Sequence, residues 1–175
     1  MKTFFYMTFL LVCLCVLLTS CGKDPNSIRP QEAAKDFRLD TLTHERFYLN
    51  QHKGKVVVLV FWTTWCSVCK GELVELNTIK DVSRNGDLVV AGICSDPENI
   101  DTLKEVTETL NIEYPVLLDK GQTVTGKYKV SAFPTTIIID QKGIVSFIRE
   151  GYNSSIASQL KTKISSLSVS DQSVE

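Results

Sequence analysis

Residues 55–70, KVVVLVFWTTWCSVCK, join a continuous apolar run to two cysteines spaced C-x-x-C. The run from Val56 to Trp62 is too short for a membrane span, and its apolar residues occupy successive positions, which predicts a central strand covered on both faces. After Trp65 the apolar residues recur at helical spacing, so we expect a helix that begins near Cys66. The stretch therefore predicts an α/β fold with the cysteines at a strand-to-helix junction.

The predicted position of Cys66 makes it the candidate nucleophile. Unpaired backbone N–H groups and the positive end of the dipole at a helix N-terminus favour a thiolate and so lower the thiol pKa. Cys69 follows one helical turn later on the same side, where it can close a disulfide with Cys66 and act as the resolving thiol. This predicts a redox-active disulfide and no further cofactor.

Two other interpretations of the cysteine pair stay open. A structural zinc site needs four ligands, and the sequence has no second C-x-x-C and no close Cys/His pair to complete one, so no metal is predicted. An inert structural disulfide is harder to separate by spacing alone. A strand-to-helix turn nevertheless favours a reactive position over a buried one.

The first 20 residues differ in composition from the rest of the 175-residue chain. Lys2 precedes an almost unbroken apolar segment from Phe9 to Leu18, which predicts an export signal peptide. LTSC at residues 18–21 resembles the lipobox of bacterial lipoproteins, in which the cysteine becomes the lipidated first residue. We therefore expect a lipoprotein signal peptide and a lipid anchor on Cys21. An uncleaved membrane helix is the alternative, for which the apolar segment is short.

The rest of the sequence predicts a single domain that a linker joins to the anchor. We expect a flexible linker over residues 21–33, a single domain over 34–167 and a disordered tail over 168–175. Either form of anchoring places the domain outside the cytoplasm, facing the periplasm or the cell exterior. The formal net charge of −1 indicates no nucleic-acid partner, and we expect a monomer. The residue after Cys21 does not settle which membrane holds the anchor.

The pattern along the domain predicts a mixed sheet with helices on both sides. Two of its helix ends are predicted from local signals: one helix runs from Cys66 to an Asn85-Gly86 cap, and another starts with Asp96 as N-cap and Pro97 in its first turn. The other expected elements are a hairpin over Asp36 to Asn50, strands over Leu88 to Cys94, Tyr114 to Leu118, Thr135 to Asp140 and Ile144 to Glu150, a short helix within Gly121 to Lys129, and a helix over Ser154 to Leu167.

Three separated motifs resemble those of thioredoxin-fold proteins. FWTTWCSVCK at 61–70 resembles the active-site stretch of that fold. The preceding hairpin, the insertion at 87–118 with SDPENI inside, and FPTT at 133–136 resemble, more narrowly, the TlpA/ResA-like membrane-anchored thiol-disulfide oxidoreductases. The resemblance covers about residues 34–167. It implies a thioredoxin-like fold with an N-terminal β-hairpin and a central βα insertion.

The resemblance also implies a substrate groove beside the cysteines. Pro134 matches the cis-proline that faces the C-x-x-C, and the Phe133 backbone is where an extended substrate would hydrogen-bond. Trp65 resembles the tryptophan that shields the nucleophile and lines the groove. The plainer alternatives are a trans proline that starts a strand and a core aromatic residue.

Thioredoxin itself has a buried aspartate six residues before its first cysteine, and this chain has Val60 at that position. The acidic residue near the cysteines here is instead Glu72. Glu72 matches a glutamate that ResA-like proteins place near the active site. A partly desolvated carboxyl with a raised pKa could accept the proton that Cys69 must lose during exchange. The alternative is a solvated carboxylate that supports the helix dipole. We also expect Cys94 to be a buried, inert cysteine.

These features predict a thiol-disulfide oxidoreductase that acts on protein disulfides or dithiols. Ser67 and Val68 stand where strongly oxidising relatives carry a histidine, which favours a reductase. The resemblance implies reduction of C-x-x-C-H haem-attachment cysteines in cytochrome c maturation and a membrane thiol protein as electron donor.

The sequence allows two alternatives to a thiol-disulfide oxidoreductase, and a feature of the chain disfavours each. Thr63 stands three residues before Cys66, as in the P-x-x-x-T-x-x-C motif of peroxiredoxin-like thiol peroxidases, but Leu59 replaces the proline. A copper-handling lipoprotein of this fold would pair its cysteines with a distant histidine. His44 and His52 both precede the central strand, which disfavours that function.

Overall fold

The computed structural model describes residues 28–79, 82 and 86–169, so the predicted signal peptide and Cys21 lie outside the described residues. The described chain contains seven strands and four α-helices, with two short 3-10 segments at Leu49–His52 and Lys120–Gln122. The strands are β1 Arg38–Thr41, β2 Arg46–Tyr48, β3 Val56–Trp62, β4 Leu88–Cys94, β5 Val116–Leu118, β6 Thr135–Ile139 and β7 Val145–Glu150; the helices are α1 Ser67–Leu76, α2 Ile100–Thr109, α3 Thr123–Lys127 and α4 Ile156–Val169.

One mixed sheet contains all seven strands, in the order β2-β1-β5-β4-β3-β6-β7. β3 pairs with β4 in parallel and with β6 antiparallel, and β4 pairs with β5 in parallel. The hairpin β1–β2 extends one edge of the sheet, and β7 forms the other. The chain thus has the predicted thioredoxin-like α/β fold with an N-terminal hairpin and the α2–β5 insertion.

β3 is the central strand because both of its faces are buried. All seven of its residues are buried. Alternate side chains enter two separate cores: Val58, Val60 and Trp62 pack with residues of α1 and α4 on one side, and Leu59 and Phe61 pack with the hairpin and α3 on the other. The unbroken apolar run is therefore the pattern that a doubly covered strand requires.

Helix α1 ends earlier than predicted, at Leu76 rather than near Asn85-Gly86. Asn77 is the C-cap, and its side chain bridges to a distant loop: its amide donates to the Asn111 carbonyl at 2.7 Å and its oxygen accepts from the Glu113 N–H at 3.0 Å. The turn after Leu76 continues with i to i−3 backbone bonds, which tighten the chain out of the α-helix.

Helix α2 also begins later than predicted, at Ile100 rather than around Pro97. Asn99 is the N-cap, and its side chain accepts a hydrogen bond from the Thr102 N–H at 2.9 Å. The predicted cap, Asp96, is occupied elsewhere, since its carboxylate binds Thr64 beside the cysteines. The contact with Thr64 therefore takes the place of the helix cap that the local sequence predicted for Asp96.

The folded part of the chain is longer at both ends than the predicted range 34–167. Ile28 is buried in the core, and the segment that follows it pairs with β7, where the Gln31 N–H donates to the Val145 carbonyl at 2.7 Å. Residues 28–33 therefore belong to the domain and not to a flexible linker. At the other end, α4 continues to Val169, two residues into the predicted tail.

Candidate active site

The two cysteines occupy the start of α1, at the carboxyl end of β3. Cys66 is the N-cap of α1, and its Sγ accepts a hydrogen bond from the Cys69 N–H at 3.2 Å. A disulfide joins the two residues, whose Cα atoms are 5.3 Å apart. Cys66 retains 7% of its surface whereas Cys69 retains none. An incoming thiolate or disulfide can therefore reach Cys66, and Cys69 can act only from behind it.

Asp96 fixes the loop that presents Cys66. Its carboxylate accepts from the Thr64 N–H at 2.9 and 3.1 Å and from the Thr64 hydroxyl at 2.6 Å. The Cys94 thiol, at the end of β4, donates to the same carboxylate at 3.3 Å. These charge-assisted bonds tie the loop before the helix to the neighbouring strand. The sequence signal assigned Asp96 to a helix cap, so this contact was missed.

An exposed aromatic rim lies next to the cysteines. Trp65 is 73% exposed, and its ring stands perpendicular to that of Phe133, with centroids 6.4 Å apart. The Phe133–Pro134 peptide bond is cis, so the trans alternative is wrong, and the exposure of Trp65 shows that it is not a core aromatic residue. Val68, between the cysteines, is also exposed. The predicted groove residues Trp65 and Phe133 are in contact and available to a ligand; their roles stay predictions.

Glu72 lies one helical turn beyond Cys69 and is almost completely buried, with 1% exposure. The Thr136 hydroxyl of β6 donates to its Oε1, and its Oε2 has no hydrogen-bond partner among the described residues. Burial raises the pKa of Glu72 to about 7 and the nearby Glu75 adds to the rise, while the Thr136 bond and the charge of Arg149 oppose it. The alternative of a solvated carboxylate is wrong.

The surroundings of Glu72 place it next to the strand position of Val60. Thr136 pairs in register with Val60 of β3, the position of the buried aspartate in thioredoxin. The Glu72 carboxyl therefore reaches, from α1, the strand next to that position. The Tyr114 hydroxyl donates to the Leu73 carbonyl at 2.9 Å; burial and then the charge of Glu72 raise the pKa of Tyr114. Neither Thr136 nor Tyr114 carried a sequence signal for its interaction with Glu72.

The remaining candidate groups do not join the site as reactive residues. Cys94 is fully buried, and burial raises the pKa of its thiol, as expected of an inert cysteine. Within the described ranges, no group of three or more His, Cys, Asp or Glu residues could hold a metal ion. His52 packs on Phe47, with ring centroids 4.6 Å apart. In the same residues, no helix has the length and apolar character to cross a membrane.

Comparison with known proteins identifies the family. Residues 30–148 match the AhpC/TSA family. The chain belongs to this family. It is 31% identical over 136 residues to the thioredoxin-like protein YneN of Bacillus subtilis, covering 77% of this chain and 79% of that one. It is 30% identical over 122 residues to the thiol-disulfide oxidoreductase ResA of Bacillus thuringiensis, covering 70% of each chain.

A solved structure supports the same placement within the family. The exposed lipoprotein thioredoxin Etrx1 of Streptococcus pneumoniae is 29% identical, superposes with a TM-score of 0.60 and covers 73% of this chain and 99% of its own. Together with the Cys66–Cys69 disulfide, these relatives make the chain a thiol-disulfide oxidoreductase of ResA type. This confirms the predicted TlpA/ResA-like resemblance and the predicted enzyme class.

Proposed function

We propose that this thiol-disulfide oxidoreductase is a reductase of protein disulfides, tethered to the outer side of a membrane by a lipid on Cys21. The arrangement of three residues at the start of α1 carries the proposal: Cys66 keeps a small exposed surface, Cys69 has none, and the acid Glu72 is buried one turn further on. This order of exposure matches the order of steps in dithiol exchange.

In the proposed reaction, the Cys66 thiolate attacks one sulfur of a substrate disulfide and the other substrate sulfur leaves as a thiolate. Cys69 then loses its proton to the Glu72 carboxylate, and its thiolate attacks Cys66 Sγ. The mixed disulfide breaks, the second substrate thiolate leaves, and the Cys66–Cys69 disulfide forms. Two electrons pass from the protein to the substrate, whose thiolates take up protons from water.

Reduction of insulin disulfides by the reduced protein tests this sequence of steps. Cys66→Ala is expected to abolish reduction, and Cys69→Ala to accumulate a mixed disulfide with the substrate. Glu105→Gln, at an exposed position of α2, is the control because it changes a side chain outside the site; it should retain the parent rate. Reduction that survives Cys66→Ala would overturn the proposal, as would rapid peroxide consumption by Cys69→Ala without formation of the mixed disulfide.

The direction of electron flow has its own measurement. Ser67 and Val68 place no histidine beside the Cys66 thiolate, so the reduced form lacks that stabilisation and we expect a reducing pair. Equilibration with glutathione should then give a potential below that of the glutathione couple. A potential well above it would assign the protein to disulfide formation instead.

The substrate and the anchor are the finer parts of the proposal. We expect the substrate to be the oxidised C-x-x-C-H segment of an apocytochrome c, with electrons supplied by a membrane thiol protein. A peptide with that disulfide should be reduced faster than insulin; equal rates would count against it. The resemblance of residues 18–21 to a lipobox, and the lipoprotein Etrx1, support the anchor. Labelled palmitate should enter the parent but not Cys21→Ala.

A further inference from the structure

Behind the disulfide, a group of charged and polar side chains surrounds Glu72 where α1, β6, β7 and the start of α4 meet. We call it the Glu72 cluster. Its members besides Glu72 are Glu75, Thr136, Arg149 and Tyr152. Cys69 and Glu72 are fully or almost fully buried, whereas Glu75, Arg149 and Tyr152 are half-buried. The cluster therefore extends from the sealed side of the active site to the protein surface.

The fold holds two opposite charges of this cluster near Glu72. Arg149 of β7 stands directly opposite Thr136 of β6, so both side chains leave the same face of the sheet, under α1 and α4. Thr136 binds Glu72, and Arg149 donates from Nη1 to Gln159 of α4 at 2.8 Å. On α1, Glu75 follows Glu72 by three residues, which places the two carboxyl groups on neighbouring turns.

Tyr152 fixes Glu75 in this position. Its hydroxyl donates to Glu75 Oε1 at 2.8 Å, and its ring packs so tightly on α1 that a Cβ at Gly71 would lie 3.0 Å from the nearest ring carbon. The glycine thus permits the close approach that brings the tyrosine to Glu75. The hydrogen bond also raises the pKa of Tyr152, so the phenol stays a donor.

Three polar atoms of the cluster are buried without a hydrogen-bond partner among the described residues: Glu72 Oε2, Glu75 Oε2 and Arg149 Nε. Buried polar atoms are rarely left unpaired in folded proteins, and where they occur they are often part of a functional site. Here one acidic oxygen from each glutamate and one cationic nitrogen are kept free of competing bonds. Glu75 and Arg149 act on Glu72 through their charges, which shift its pKa in opposite directions.

We propose that Glu75 and Arg149 are positioning residues that set the pH at which Glu72 takes the proton of Cys69, Glu75 by holding that proton on Glu72 and Arg149 by releasing it. This inference rests on the proposed role of Glu72 in resolution. The groups facing Glu72 are Cys69 and Glu75 from α1, Tyr114 from the segment before β5, Thr136 from β6, Arg149 from β7 and Tyr152 from the turn after it. Of these, Glu75 and Arg149 are the two whose charges act on Glu72, in opposite directions.

Carbon-13 NMR of carboxyl-labelled glutamate, in the oxidised protein, measures the titration of Glu72 directly; Glu72→Gln assigns its signal. Removal of a like charge one turn away by Glu75→Gln should lower the midpoint by about 0.2–0.4 pH unit. Arg149→Gln should raise it. Glu105→Gln, at an exposed position of α2, is the control because it removes a carboxyl group outside the Glu72 cluster; it should leave the midpoint unchanged.

If Glu75 and Arg149 had only a structural role, the two substitutions would not shift the Glu72 midpoint in opposite directions. If the substitutions only loosened the packing, water would enter and both midpoints would move toward the ordinary value of a glutamate. Midpoints that do not move, or that both fall, overturn the inference. The pH dependence of substrate release from the Cys66 mixed disulfide then tests the proposed function separately. If the NMR midpoints shift as expected but the release profile does not follow, the cluster stands and the role of Glu72 in resolution fails.

Discussion

Burial of Glu72 predicts a stability penalty that a single neutral substitution should remove. Its side chain is 1% exposed, and burial raises the pKa from the ordinary value of 4.5 to about 7. At about 1.36 kcal/mol per pH unit, this difference corresponds to about 3 kcal/mol of folding free energy. Glu72→Gln has nearly the same shape and carries no charge, so it should not incur that cost.

The sign follows from proton binding in the two states. Between about pH 4.5 and 7 the folded protein keeps a proton on Glu72 that the unfolded chain has lost, so the free energy of unfolding falls as the pH rises through this window. The full effect is present above pH 7 and absent below pH 4.5. Of the total, about 2.5 kcal/mol should develop between pH 5 and pH 8. The Gln variant lacks this dependence.

Chemical denaturation of the oxidised parent and of Glu72→Gln at pH 5 and pH 8 measures the effect. The advantage of the Gln variant should be about 2.5 kcal/mol larger at pH 8 than at pH 5. Glu105→Gln, at an exposed position of α2, is the control and should show the same difference at both values. A change below about 1 kcal/mol between the two pH values, or one of the opposite sign, would refute the reasoning.

Three further predictions test the rim, the loop clamp and the domain boundary. Trp65→Ala should raise KM for protein disulfides and change the free energy of unfolding by no more than about 0.5 kcal/mol, because the ring is exposed. An unchanged KM would show that Trp65 does not bind the substrate. Asp96→Asn should destabilise the protein by about 1–2 kcal/mol, since the bonds to Thr64 lose their charge. Unchanged stability and an unchanged rate of disulfide reduction would show that these bonds do not hold the loop. Ile28→Ala should cost about 2–4 kcal/mol, measured by denaturation; no loss would return residue 28 to the linker.

The fold was predictable where the pattern of burial is regular. β3 alternates between two cores, so its apolar run alone identified it as a central covered strand. The two cysteines follow from the same observation, because the strand ends where the helical period begins. The β6–β7 hairpin followed from the turn between two alternating runs. In each case the signal lies within the element that it predicts.

The parts that were wrong depend on contacts between distant segments. Asp96 has every local feature of a helix cap, but its bonds to Thr64 win because they join a carboxylate to three donor contacts in a partly buried site. The side chain of Asn77, the C-cap of α1, bonds to residues more than 30 positions away. The depth of Glu72 was not visible either, since it depends on Thr136 on another strand.

The placement of Glu72 behind Cys69 has a consequence for how charge is handled during exchange. Both groups are buried on the same face of α1, and two negative charges in one buried space are strongly disfavoured. In the proposed mechanism, Cys69 therefore ionises by handing its proton to Glu72 and not by losing it to water, which keeps the total charge of the pair constant. Transfer requires that Glu72 be ionised beforehand, and its pKa of about 7 provides an ionised fraction near neutral pH while keeping the carboxylate basic enough to accept the proton. In this proposal, the burial of Glu72 that lowers the stability of the fold is the same feature that allows the buried Cys69 thiol to react.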